Sequence, residues 1–437
     1  MENSRAFTVK LLSKLEKNSS YSNILLSDAL EKSRLDEREK KFASALFYGV
    51  LERRITLDEI ILSLLKNPKN KLNEDIRNIL RTALYQLIYM DSVPDSAAVD
   101  EAVKLAKKSR NPSAPGFVNG LLREFIRRDK KIPVKKNHLE QLAVDYSAPL
   151  WLVKKWNEEY GEKICKIMLE SSLGAAPVVV KANTLRLSLN EIISVLAGDD
   201  CKCEIVDNTL VKDALIVKGG ALEKTNAYKA GLVHAQDLSC QLCCKALDVK
   251  PGDTVLDLCA APGGKTFTIA ELMESKGRVL AFDLHENRVR LISEGAKRLG
   301  LSCVETDTGD AKKFNSGLPL ADRVLCDVPC SGLGVIRRKP EIKYKNPEDF
   351  ERLPEIQLEI LKNASEYVKP LGRLVYSTCT LPKAENEEIV EKFLEENSGF
   401  ELVSLPYPLE CKEKYVTITP DKFGSDGFFI AGFVRKR

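Results

Sequence analysis

From about residue 236 the chain repeats one pattern: a short β-rich apolar run, a break, then a segment of helix length. The runs are DTVLDLC, RVLAFD, DRVLCD and GRLVYST, and FFIAGFVRK closes the chain. Repeated βα units dictate a parallel sheet with right-handed crossovers, covered by helices on its faces. Sheets of this kind bind ligands outside the carboxyl ends of their strands. Here each strand end carries a reactive or conformationally special group: CAAPGGK, Asp283, DVPCS and STCT. Two cysteines, Cys330 and Cys379, follow two of these strands and are expected to open on one crevice.

The chain upstream reads differently. Ile76, Ile79, Leu80, Ala83, Leu84, Leu87 and Ile88 trace one apolar helical stripe. Leu57, Ile60, Ile61, Leu64 and Leu65 trace another, preceded by Thr56 and Glu59 at capping-box spacing. Phe117, Val118, Leu121, Leu122, Phe125 and Ile126 make a third, and strand signals are missing, so residues 1–140 are expected to form an all-α domain that ends in the polar linker RRDKKIPVKKN. Residues 141–235 mix a long helical segment with strand-like PVVVKAN, KCEIV and ALIVKGG, which predicts a small α+β domain. Residues 236–437 are then the α/β domain, and 437 residues agree with a prior of about 150 per domain.

Charge singles out one segment. Net charge is only +4, yet Lys104 to Lys136 holds eleven Lys/Arg against Glu124 and Asp129. That local excess points to a polyanion site, the alternative being a solvated helix face. No apolar run approaches the ~20 residues of a membrane span. The opening MENSRAFTVKLLSKLEKNSS lacks the apolar block and cleavage site of a signal peptide, so a cytoplasmic protein with reduced thiols is expected. Cys240 and Cys243 form a CxxC, but no second pair sits at finger spacing and the only histidines are His138, His234 and His285. Four convergent zinc ligands are not in view, and no metal is expected.

The crevice chemistry follows from the residues at the strand ends. Pro262, Gly263 and Gly264 lie between a strand and a helix start, where backbone N–H groups can approach a ligand closely. The stretch is neither GxGxxG nor the GxxxxGK[ST] of a phosphate loop, which disfavours nucleoside triphosphates. Asp283 ends the next strand, where a carboxylate can accept hydrogen bonds from both ribose hydroxyls. A nucleoside cofactor without a phosphate cradle fits S-adenosylmethionine better than NAD, with Asp310 as its adenine-side contact or else a loop cap. Cysteine is a good nucleophile as the thiolate. Addition of a thiolate to C6 of a pyrimidine makes C5 able to attack a methyl sulfonium, and a second acid–base group near it would assist release. A carboxyl group at N3 or N4 would stabilise the adduct. Cys379, Cys330 and Asp327 match these three needs, whereas unreactive small hydrophobes would be the bland reading of either cysteine alone.

DLCAAPGGKT, CDVPCSGLGVIRRKPEIK, YSTCTLPKAENE and DGFFIA resemble the motifs of the NOL1/NOP2/Sun family of RNA cytosine-C5 methyltransferases. ALFYGVLERRITLDEII, LRTALYQLIYMDSVPDSAAVDEAVKLAKK and GFVNGLLREFIRR are similar to the NusB-like RNA-binding domain. Joined, the two resemble bacterial 16S rRNA enzymes whose target is cytosine 967. The resemblance implies a NusB-like helical domain, a small α+β domain and a Rossmann-like catalytic domain, acting as a monomer on 16S rRNA. It implies a cofactor site of Cys259, Ala260, Ala261, Pro262, Gly263, Gly264, Lys265, Asp283, Asp310 and Asp327. It makes Cys379 the nucleophile and Cys330 the release cysteine; Asp327 is shared between cofactor and base, and Lys265 fixes a polar group. Substrate contacts are least defined over 199–230 and 405–422. A non-catalytic RNA-binding factor with a vestigial methyltransferase half is the rival reading, opposed by the intact cysteines and PGGK. A thiol redox protein is disfavoured because no CxxC sits at a helix start facing the site.

Overall fold

The computed structural model describes residues 3–17, 22–68, 71–109, 111–206, 211–406, 409 and 414–437. Arg110 of the basic segment, and parts of 199–230 and 405–422, lie outside them. The chain forms two compact units, one of residues 1–175 with 336–345 and one of 176–335 with 346–437.

The first unit is helical. Helices Ser4–Lys17, Glu37–Glu52, Arg54–Leu64, Glu74–Tyr89, Asp95–Lys107 and Ala114–Arg127 share one apolar core that includes Leu46, Phe47, Leu57, Leu80, Leu84, Val118 and Phe125. The stripe expected from Ile76 to Leu87 is buried, because residues three and four apart share one helix face. Asn73 caps its start, accepting hydrogen bonds from the N–H groups of Asp75 and Ile76. The capping box expected at Thr56 is not formed. Thr56 lies inside its helix, behind an N-cap at Arg53 that has no side-chain cap, and its hydroxyl donates instead to the Val144 carbonyl at 2.5 Å. Two later helices, His138–Asp145 and Leu150–Ser171, belong to this unit, and so does the segment 336–345. Tyr344 there donates to the Leu51 carbonyl at 2.6 Å, and Glu341 accepts from the Ser22 hydroxyl at 2.7 Å.

In the second unit, strands β1 (Val178–Ala182), β2 (Lys202–Ile205), β3 (Ala214–Lys218) and β4 (Val233–Ala235) form an antiparallel sheet in the order β2-β3-β1-β4. The helix Leu189–Gly198 packs on it, started by a formed capping box of Ser188 and Glu191. The large sheet contains β5 (Thr254–Asp257), β6 (Arg278–Asp283), β7 (Val304–Thr308), β8 (Ala321–Asp327), β9 (Val368–Thr378), β10 (Phe400–Leu402), β11 (Tyr415–Ile418) and β12 (Phe428–Arg435). Its order is β10-β12-β9-β8-β5-β6-β7, with β11 also on β12. Strands β5 to β9 pair in parallel and β12 runs antiparallel to β9. Side chains alternate between the faces: Val255 joins one apolar cluster and Leu256 the other. From β5 the chain first builds outward through β6 and β7, then returns to the other side of β5 to build β8 and β9. The reversal leaves a crevice beyond the carboxyl ends of β5 and β8, the topological switch point. This is the parallel sheet expected from the βα repeat, in the Rossmann-like arrangement that the family resemblance implied.

Candidate active site

The switch-point crevice is assembled from four strand ends. After β5 the chain runs through Leu258 and Cys259 into a tight turn. Ala260 N–H donates to the Phe282 carbonyl on β6 at 2.8 Å, and Gly263 N–H donates to the Ala260 carbonyl at 2.8 Å. Gly263 holds φ +109°, and a Cβ there would lie 2.3 Å from the Phe267 ring, so only glycine fits. The helix Gly264–Leu272 starts at once, with Gly263 as its left-handed N-cap and no side-chain cap. Arg288 donates to the Ala261 carbonyl at 3.0 Å across the turn that contains Pro262.

Asp283, the last residue of β6, is 4% exposed. Its Oδ1 accepts from His285 N–H at 3.2 Å and its Oδ2 lies 3.3 Å from Arg288. Both contacts are long, so the carboxylate keeps acceptor capacity for a ligand. Asp310 lines a cavity of about 160 Å³ with Leu258, Phe282, Gly309, Phe314 and Tyr367. Asp310 also accepts from Lys312 N–H at 3.1 Å, so it serves as a loop cap as well as a cavity wall. The Phe314 and Tyr367 rings stack on each other, centroids 5.0 Å apart, and give that cavity apolar surface.

On the other side of β5, Asp327 closes β8. Its Oδ2 accepts from Lys265 Nζ and its Oδ1 from the Ser377 hydroxyl, each at 2.8 Å. Burial alone would lower the Lys265 pKa; the Asp327 carboxylate outweighs it and raises the ammonium well above its ordinary value. The Lys265 ammonium also lies 5.0 Å from the Phe428 ring centre, a cation–π distance. Lys265 therefore remains cationic and points Asp327 in one direction.

The two thiols meet. Cys330 Sγ and Cys379 Sγ are 3.1 Å apart although 49 residues separate them. The hydrogen bond to Cys379, then burial and the Glu385 and Asp327 carboxylates, push the Cys330 thiol well above its ordinary value. Cys330 thus holds its proton, and either sulfur can be the donor in the contact between them. Cys259 is pushed up by burial first and then by Asp257, Asp327 and Asp283, so it is an inert wall rather than a third reactive thiol. Cys240 and Cys243 of the CxxC are both raised to about 12 by burial within the helix Leu238–Ala246. Among the described residues no group of three or more His, Cys, Asp or Glu is placed to hold a metal.

Known proteins carry the same architecture. The family described as 16S rRNA methyltransferase RsmB/F matches residues 244–434. The NusB family matches 2–127, and the ferredoxin-like domain of RsmF/B-like methyltransferases matches 148–221. A probable ribosomal RNA small subunit methyltransferase B of Bacillus subtilis (strain 168) is 39% identical, over 99% of this chain and 98% of its own.

The chain belongs to the RsmB/F family of 16S rRNA methyltransferases.

Two solved structures agree with this membership. PH0851 superposes with a TM-score of 0.81 at 27% identity, over 99% of this chain and 97% of its own. A methyltransferase homologue from Pyrococcus horikoshii superposes with a TM-score of 0.61 at 26% identity, over 69% of this chain and 100% of its own.

Two groups in this RsmB/F site escaped the sequence reading. Asp257 ends β5, is fully buried, and accepts from the Thr266 hydroxyl at 2.7 Å, while its Oδ1 has no hydrogen-bond partner among the described residues. Burial pushes it up to about 7. The strand-end rule that selected Asp283 and Asp327 would have selected it too. Ser377, which orients Asp327, had no signal beyond its place before Thr378. The basic segment is less cationic in space than in sequence. Lys104 pairs with Glu101, Arg127 and Arg128 share Glu124, Lys130 meets Asp95, and Lys135 meets Glu59.

Proposed function

We propose that this chain methylates carbon 5 of a cytosine in 16S rRNA, cytosine 967 in the family's numbering, through a covalent adduct between Cys379 and C6. Residues 1–140 and 141–235 engage the RNA, and 236–437 carry out the chemistry. The observation that carries this reading is the pair of thiols 3.1 Å apart beside the Asp327–Lys265 pair.

S-adenosylmethionine, when bound, supplies a methyl group made electrophilic by its sulfonium charge. The residues at the switch point fit such a ligand. Asp283 offers ribose acceptors, the Asp310 cavity an apolar slot, and Asp327 a carboxylate for the cationic end. Cys379 sulfur adds to C6 of the flipped-out base, forming the S–C6 bond while the C5–C6 π pair moves into the ring and leaves C5 nucleophilic. The Cys379 proton passes to N3 as the S–C6 bond forms, and Asp327, aimed by Lys265 and Ser377, accepts from the N4 amino group or from the protonated N3 and holds the adduct. Methylated C5 then loses its proton, C5=C6 re-forms, and the S–C6 pair returns to Cys379. Cys330 relays that proton: its own passes to the departing Cys379 sulfur 3.1 Å away as the C5 proton replaces it.

Mapping methylated cytosines in rRNA from cells with and without the protein tests the substrate, and an unchanged map rejects it. A denaturing gel shift with labelled RNA and S-adenosylmethionine tests the roles. Cys330→Ala accumulates a denaturant-resistant adduct, while Cys379→Ala and the double variant give none. Adduct from Cys379→Ala but not from Cys330→Ala reverses the assignment.

A further inference from the structure

The spacing of the two thiols needs a cause, since each sits on a loop and neither loop is held by the sheet ladder. The cause lies one layer behind them. Glu385 is 3% exposed and faces both loops from below. Its Oε2 accepts from Ser331 N–H and from Gln357 Nε2, each at 2.9 Å, and its Oε1 accepts from the Ser331 hydroxyl at 2.5 Å. Gln357 also donates to the Pro329 carbonyl at 3.0 Å, so both neighbours of Cys330 are fixed through one carboxylate. The Ser331 hydroxyl meets Thr380 Oγ1 at 2.6 Å, and Thr380 accepts from Leu333 N–H at 3.2 Å. Thr380 is the neighbour of Cys379. The buried Tyr376 hydroxyl, near the end of β9, donates to the Glu385 backbone carbonyl at 2.6 Å. Closer to the surface, Gly334 N–H donates to the Cys379 carbonyl at 3.1 Å. A Cβ on Gly334 would lie 2.1 Å from the Gly427 carbonyl oxygen, so glycine is required for that approach.

We propose that Glu385 is a positioning residue that ties the Pro329–Ser331 loop to the Thr378–Thr380 loop and sets the spacing of Cys330 and Cys379. The inference rests on the two-thiol reading above. Glu385 touches no reacting atom. Attack at C6 and proton removal at C5 involve adjacent ring carbons, so the two sulfurs must face one pyrimidine together. A displacement of about 1 Å costs about a hundredfold in rate.

Glutamine can reproduce the tie. Its carbonyl oxygen takes the two N–H donors, and its amide donates to a Ser331 hydroxyl turned toward Thr380. Alanine cannot. Glu385→Ala should lower kcat about a hundredfold, with KM for RNA and the dissociation constant of S-adenosylhomocysteine within twofold of the parent. Glu385→Gln should restore kcat to within about fivefold. Ser331→Ala, which keeps its N–H, should fall between them and serves if Glu385→Ala does not fold. A second measurement needs no substrate. Hydrogen peroxide oxidises two adjacent thiols to a disulfide with release of two waters. Peptide mapping should show the Cys330–Cys379 bond forming at least about tenfold more slowly in Glu385→Ala, or in Ser331→Ala, than in the parent. Unchanged disulfide formation overturns the tie, whatever the reaction. Glu385→Gln as inactive as Glu385→Ala overturns it too, since charge rather than geometry would then matter. Slowed disulfide formation with unchanged kcat shows that the spacing does not serve catalysis. Methylation that survives Cys379→Ala, by contrast, breaks the two-thiol reading itself.

Discussion

Asp283 gives the sharpest test of how the crevice holds its cofactor. The carboxylate is nearly buried, yet its two internal contacts are long, 3.2 Å to His285 N–H and 3.3 Å to Arg288. A ribose offering two hydroxyls would therefore gain charge-assisted hydrogen bonds without displacing strong ones. Such bonds contribute about 1.5–3 kcal/mol, and tenfold in affinity is about 1.4 kcal/mol. Asp283→Ala should then weaken S-adenosylhomocysteine binding by roughly 10- to 150-fold. The Arg288 pair adds little, because the arginine is half exposed and such pairs contribute about 0–1 kcal/mol. Asp283→Asn keeps the acceptor for His285 N–H and loses only the charge, so it should fall near the lower end of that range. Titration calorimetry without RNA reads binding alone and keeps turnover out of the measurement. A dissociation constant for Asp283→Ala within threefold of the parent would refute the ribose assignment. So would an Asn variant weaker than the Ala variant.

Lys343 is fully buried and donates to the Glu52 carbonyl at 2.8 Å, and burial lowers its pKa to about 7. The unfolded chain keeps that proton up to about pH 10.4, so unfolding takes up a proton between the two values and stability rises with pH across that window. Lys343→Met should flatten the rise by roughly 2 kcal/mol between pH 7.5 and 9.5, and parallel denaturation curves for parent and variant would contradict it. If the helical unit docks rRNA, replacing Lys107, Lys108, Arg127 and Arg128 by Gln should weaken RNA binding and flatten its dependence on salt. Cofactor affinity should stay the same, and an unchanged salt slope would reduce the segment to a solvated face. Lys265→Met removes the only ammonium within hydrogen-bond reach of Asp327 among the described residues, and should lower kcat far more than cofactor affinity. Equal losses in both would place Lys265 in cofactor binding instead.

The βα repeat made the site legible because a parallel sheet brings its strand ends together wherever they fall in sequence. That rule needs no side-chain detail, which is why Asp283, Asp327, Cys330 and Cys379 could be singled out from spacing alone. It says nothing about what fixes them. Glu385, Gln357, Ser331 and Thr380 act through hydrogen bonds between segments 28 to 54 residues apart, and no local periodicity records such a partner. Thr56 failed for a related reason: its spacing to Glu59 imitates a cap, but the hydroxyl has a tertiary acceptor 88 residues away. Residues 336–345 read as a continuation of the Cys330 motif, with apolar and charged residues in no period. Tertiary contacts, with Glu341, Lys343 and Tyr344 engaged by Ser22, Glu52 and Leu51, show that they belong to the helical unit. Strand β4 was too short to announce itself.

The asymmetry of the thiol pair follows from where each cysteine sits on the sheet. Both loops leave adjacent parallel strands, β8 and β9, so their first residues beyond the ladder must lie side by side. Cys330 comes three residues after β8, next to Pro329, and feels the Glu385 and Asp327 carboxylates. Cys379 follows β9 at once. The hydrogen bond to Cys379 and burial, with the Glu385 and Asp327 carboxylates adding to them, keep the Cys330 proton on. A pair of equally placed cysteines would share a proton and favour neither role. The sheet thus brings the two loops side by side, and the hydrogen bonds behind them set how their sulfurs meet. Moving a carboxylate should then redistribute the roles without moving the sulfurs. Asp327→Asn, which keeps the Ser377 hydrogen bond, should ease alkylation of Cys330 by iodoacetamide relative to Cys379 at pH 8. Peptide mapping reads that ratio directly, and a ratio equal to the parent's would show that geometry alone, not charge, separates the two thiols.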